Sequence, residues 1–158
     1  MSAPILWIGL PLLIGAAIFL FSNEKYSAYA GGGVAALLSL TALFIPIDTA
    51  LLLGSLSLKI SPAIQVFGRS FEFSAADGPL LAVIYGVSAL WFFGSESTGA
   101  AHRFSSLGLM IIALLTASIA VEPFLYAALL LEVAAMLIVF LLVPIYQMPG
   151  RGVVRYIV

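Results

Sequence analysis

A single carboxylate, Glu132, stands in the run LLLEVAAML at residues 129–137, within an apolar stretch bounded by Pro123 and Pro144. A charge near the midplane of a bilayer costs at least about 2.5–3.5 kcal/mol, so few chains place one there without a use for it. Lipid surroundings disfavour the ionised form of a carboxyl, and an ammonium brought close restores it. Such a group takes up or releases a proton according to where its partner stands, which is what a proton relay requires. The plainer alternative is a protonated acid joining two helices through one hydrogen bond, worth about 0.6–2 kcal/mol. Intramembrane carboxyls are by default functional, and the expectation for Glu132 is a proton carrier.

The remaining candidates are weaker. Asp48, Asp77, Glu96 and Glu122 fall at the ends of apolar runs, where water or headgroups solvate them, although Glu122 could collect protons at a surface entrance. His102, next to Arg103, could exchange a proton but is more simply an interfacial anchor. Thr116 and Ser118 lie within an apolar run and could donate to water or a neighbouring helix, yet hydroxyls also satisfy themselves on the preceding turn. Trp7, Tyr85 and Trp91 read as interface or packing aromatics, and Pro11 as a kink.

The elements that would position these groups belong in a membrane. Hydrophobic residues make up 63% of the 158 and charged residues 8%, and the mean hydropathy is +1.22, far from soluble domains. Several runs reach the roughly 20 apolar residues that cross about 30 Å of hydrocarbon as a helix. Their alternation is too poor for barrel strands. A net charge of -1 with six Lys and Arg residues forms no basic stripe, so nucleic acid is not an expected partner. With no cysteine and one histidine the chain offers no thiolate cluster, haem or metal site of its own, and no cofactor is expected on it.

The predicted architecture is an all-α transmembrane helical bundle of five spans, at about 3–21, 30–47, 77–94, 104–121 and 123–143, with a sixth beginning at 151. A cleaved signal is disfavoured despite the A-x-A-like Ala28 and Ala30, because residues 1–6 carry no Lys or Arg. GGGVAA at 31–36 matches the dinucleotide pattern G-x-G-x-x-A but lacks the preceding strand and the later acid. Gly31, Gly32, Ala35 and Ala36 instead supply the small-xxx-small spacing of closely packed helices. In IQVFGRSFEF, residues 64–73, Ile64 and Val66 alternate with Gln65 and Phe71 and Phe73 with Glu72, around Gly68-Arg69. A β-hairpin between spans two and three is predicted. Asp77 and Pro79 suit a helix start, and only Glu122 and Pro123 separate spans four and five, which must be antiparallel neighbours.

If the spans alternate, the loops after spans one, three and five hold Lys25, Arg103, Arg151 and Arg155, against Lys59 and Arg69 on the other side. The richer side is expected to be cytoplasmic, with the N-terminus and the 48–76 loop on the outer face.

Two leading spans, an outer hairpin, a third span opening on an Asp, and a tight turn into a fifth span with a central Glu resemble the N-terminal part of the antiporter-like membrane subunits. These occur in proton-translocating NADH-quinone oxidoreductase (complex I), in membrane hydrogenases and in multi-subunit cation/proton antiporters. VEPFLYAALLLEVAAMLIVFLLVP at 121–144 looks like the family's fifth helix, and RGVVRYIV at 151–158 like the start of its sixth. The resemblance implies that Glu132 pairs with a lysine on a later broken helix, that shifting the pair moves protons, and that other membrane subunits and the lipid bilayer are the partners. It implies a redox-driven translocase, set in a bacterial inner membrane, with no redox chemistry on this chain; contact with quinone is left open. Two features depart from the pattern. Leu131 stands where an aromatic commonly precedes the glutamate, and no intramembrane lysine is present, Lys25 and Lys59 lying outside the spans. The expectation is therefore the N-terminal portion of a longer subunit, or a subunit completed by a separate chain. The competing expectation is a structural membrane subunit in which Glu132 only bridges helices.

Overall fold

The computed structural model describes residues 2–22, 24–48, 50–53, 56–66, 68–98 and 101–142. The sixth span predicted from 151 lies outside them. The helical part begins with a π-helical turn, Ile5–Gly9, that runs directly into α1, Leu10–Phe21. There follow α2, Glu24–Phe44, α3, Gly78–Gly94, α4, Ala101–Ala120, and α5, Ala127–Leu142. Each is an apolar run long enough to satisfy its own backbone, which is what hydrocarbon demands.

Of the five predicted spans, four are matched among the described residues by helices of spanning length, and the first by a shorter apolar helix. Helices covering Tyr26–Phe44, Ala75–Ser97, His102–Ala120 and Phe124–Leu142 are long and apolar enough to cross a membrane, whereas Ile5–Phe21 is shorter. At 1.5 Å per residue that first helix is about 25 Å long, under the roughly 30 Å of a hydrocarbon core. It stops because Ser22 is extended, with φ -90° and ψ 149°. The second helix starts at Glu24 rather than 30, since nothing in the three glycines breaks it. The third starts on a capping box in which the Ser74 amide and hydroxyl donate to Asp77 Oδ2 at 2.7 and 3.0 Å.

The bundle is not purely helical. Strands β1, Ala50–Leu53, and β2, Leu56–Lys59, form one antiparallel pair. The sheet β3-β4-β5 comprises Ala63–Val66, Arg69–Glu72 and Val121–Glu122. The hairpin expected at 64–73 is β3-β4, with Ile64 opposite Phe71. Arg69 opens β4 opposite Val66 instead of sitting in the turn, and Gly68 takes the positive φ of 73° that the reversal requires. The link between α4 and α5 is more than two punctuating residues: Val121 and Glu122 join β4 as a third strand, and a 3-10 turn, Phe124–Tyr126, precedes α5. The Arg69 guanidinium lies 3.7 Å over the Tyr126 ring, fastening the hairpin to the head of α5.

Packing follows the small residues. Gly78, Ala82 and Gly86 recur at every fourth position of α3, and the Ser39 hydroxyl of α2 donates to the Ala82 carbonyl at 2.7 Å. A methyl group added at Gly31 would lie 2.8 Å from Ser105 Cβ, and one at Gly32 2.7 Å from the Phe93 ring. Gly31 and Gly32 thus serve close helix approach, as their spacing suggested. In the same way Gly15 of α1 admits Met110 and the Ser106 carbonyl of α4. Helix α4 is central: α1, α2 and α5 all pack on it, while α3 packs chiefly on α2.

Candidate functional site

Glu132 sits in the middle of α5 and is exposed. Ala127 and Ala134 are the buried residues of this helix and mark the side that rests on α4. At 3.6 residues per turn Glu132 is about 200° around from Ala134, on the opposite side. Its neighbours on that outward surface are Leu129, Val133, Met136 and Phe140, all exposed. Among the described residues it meets no hydrogen-bonding or charged partner. Only 11% of the α5 span is buried, against 56% of the α4 span. The carboxylate therefore faces away from its own bundle at mid-span.

The other sequence candidates lie elsewhere. Thr116 is buried and donates to the Ile112 carbonyl at 2.8 Å; Ser118 is buried and donates to Leu115 at 2.7 Å. Both hydroxyls are satisfied by their own helix. His102 is half-buried, its Nε2 3.1 Å from the Ile18 carbonyl near the end of α1 and its ring 6.2 Å from that of Phe19. Glu122 is exposed and lines an open groove with Gly68, Ser70 and Phe124, beside the sheet. None of the four is brought to Glu132. At the opposite end of the bundle from the sheet, Glu96 accepts a 2.5 Å hydrogen bond from the Tyr29 hydroxyl.

A polar cluster that sequence reasoning passed over lies at the junction of α1, α2, α3 and α4. Trp7 is fully buried, donates from Nε1 to the Leu38 carbonyl at 3.3 Å and meets Phe73 edge-on at 6.4 Å. The buried Tyr85 hydroxyl donates to the Trp7 carbonyl, close to the buried Thr116 of α4. The cause is Pro11. Lacking an N–H, it cannot serve the carbonyl four residues earlier, which is that of Trp7; with no water in hydrocarbon, a side chain must do so. The signal was in the sequence as the spacing of Trp7 and Pro11. Trp91, by contrast, is 64% exposed.

Among the described residues no group of His, Asp and Glu could hold a metal ion. The four long apolar helices define an integral membrane protein built as a helical bundle. No family model, curated protein or solved structure matches the chain.

Proposed function

We propose that this chain is the N-terminal portion of a proton-translocating, antiporter-like subunit of an NADH-quinone oxidoreductase-type complex, with Glu132 as its proton carrier. The observation that carries the reading is the position of Glu132: mid-span, exposed, and on the side of α5 away from α4. A carboxylate left on lipid would cost several kcal/mol. It is accommodated when a basic group from further membrane helices, of the same subunit or another, covers that face. Approach and withdrawal of that group would then load and unload the proton. The buried hydroxyls of Thr116 and Ser118 are committed to α4, so the proton path runs along the outer surface of α5 and its partner helices, not through this bundle.

The same outward direction supports a second reading, in which Glu132 is an assembly contact between subunits and carries no proton. Glu132→Gln separates the two. In vesicles reconstituted with the assembled complex, the relay reading expects normal subunit content and loss of most redox-driven proton uptake. Unchanged pumping sinks it and leaves the assembly reading, which in turn expects Glu132→Leu to release the chain from the complex.

A further inference from the structure

The charged residues that bound α3 and α4 mark out an apolar belt of one height. In α3 no charge falls between Asp77 and Glu96, and the helix itself, Gly78–Gly94, has 17 residues. In α4 the uncharged run is 104–120, closed by Arg103 on one side and by the strand that carries Glu122 on the other. Each run is about 25 Å long at 1.5 Å per residue. The longer spans Ala75–Ser97 and His102–Ala120 owe their extra length to these charged ends.

The two runs are level with one another. Phe92 of α3 packs on Gly108 of α4, where an added methyl would come within 2.5 Å of its ring. Glu96 lies four residues beyond that contact and Arg103 five, so the charged ends differ in height by about 2 Å. Tyr29 of α2 joins the same rim by donating to Glu96, and Trp91 and Tyr29 are both exposed there. Amphipathic rings beside charged groups are what the headgroup level of a membrane selects.

Helix α1 matches this belt instead of falling short of it, because Ile5–Phe21 is as long as the uncharged runs of α3 and α4. Its ends agree. At one, the Ala3 amide donates to the Ser61 carbonyl at 2.8 Å, just before β3, in the sheet that α4 enters through β5. At the other, the Ile18 carbonyl stands 3.1 Å from His102 Nε2, in the first turn of α4. Helix α1 therefore runs the height of α4.

We propose that the partner this belt fits is a bilayer with about 25 Å of hydrocarbon, thinner than the roughly 30 Å average, and that α1 crosses it beside the four longer helices. A thicker bilayer must thin around the protein or draw the charged ends toward hydrocarbon, and each costs free energy for every ångström of mismatch. Tilting gives no relief, since a tilted helix covers less height. The belt follows from span lengths alone and is independent of what Glu132 does.

The full chain, reconstituted into phosphatidylcholine bilayers graded by acyl-chain length from about 20 to about 35 Å of hydrocarbon, tests the match. The temperature at which helical circular dichroism is lost should peak near 25 Å and fall by about 5–10 °C at the thick end. A maximum at about 30 Å or beyond, or no dependence on thickness, overturns the proposal. The crossing of α1 is read separately, with Ser61→Cys and Phe21→Cys in a chain that has no other cysteine. Both positions are exposed, and Ser61 holds Ala3 through its backbone, so neither substitution disturbs the fold. An impermeant maleimide should label the two from opposite sides of the membrane. Labelling of both from one side overturns the crossing of α1.

Discussion

Trp7, Pro11 and Tyr85 show how one missing proton shapes a membrane core. Proline removes the donor from a buried carbonyl, and a tyrosine from α3 supplies another. Tyr85→Phe should therefore destabilise the bundle by about 1–3 kcal/mol, the cost of a buried acceptor left unpaired. Thermal unfolding in detergent, followed by helical circular dichroism, measures it. Pro11→Ala returns an N–H to the neighbourhood of the Trp7 carbonyl, so the double variant should lose less than Tyr85→Phe alone. A Tyr85→Phe protein as stable as the parent would show that the carbonyl has another donor. Glu132 was legible as the residue to follow, because a lone acid in an apolar run stands out in any membrane sequence. Its direction was not. Apart from Glu132, helix α5 is apolar on every side, and in lipid an apolar face carries no information about which way is in.

At the level of elements, what fixed packing was size, not hydrophobicity. Ala127 and Ala134 turn α5 toward α4, and Gly31 and Gly32 bring α2 against its neighbours. The three glycines of α2 are accordingly not equivalent. Gly31→Ala places a methyl 2.8 Å from Ser105 Cβ, while Gly33→Ala meets nothing within 4 Å. The first should cost about 1–3 kcal/mol through overpacking. The second should be neutral or stabilising by up to about 1 kcal/mol, through the higher helix propensity of alanine. Comparison of the two melting temperatures decides it, and equal values would mean the α2–α4 contact is loose. The hairpin β3-β4 was legible from its alternation and Gly68. The pair β1-β2 is hidden in the sequence because its leucine-rich strands read like the apolar runs around them. Strand β5 is only two residues long and owes its existence to β4, so no local pattern announces it.

For the whole molecule, the arrangement puts the sheets at one end of the bundle and the Tyr29–Glu96 contact at the other. On the proposed orientation, drawn from the charge asymmetry of the sequence, the sheet end is the outer face. Single cysteines at Gln65, near the sheet, and at Ser97, after α3, should then label with an impermeant maleimide from opposite sides of the membrane, Gln65 from outside. Labelling of both from one side would break the alternation on which the assignment rests. A cysteine at Phe21, which is 84% exposed, should behave like Ser97 if the short first helix crosses with the others.

The seating of α1 also bears on how the chain is made. Its main neighbour is not the helix that follows it but α4; Ile18 meets His102 across 84 positions of sequence. At about 5–20 residues per second of synthesis, roughly 4–17 s separate the emergence of the two. During that interval the shortest of the described α-helices has left the ribosome while the surface that holds it does not yet exist. The insertion machinery, rather than the finished fold, must keep it in place until α4 arrives.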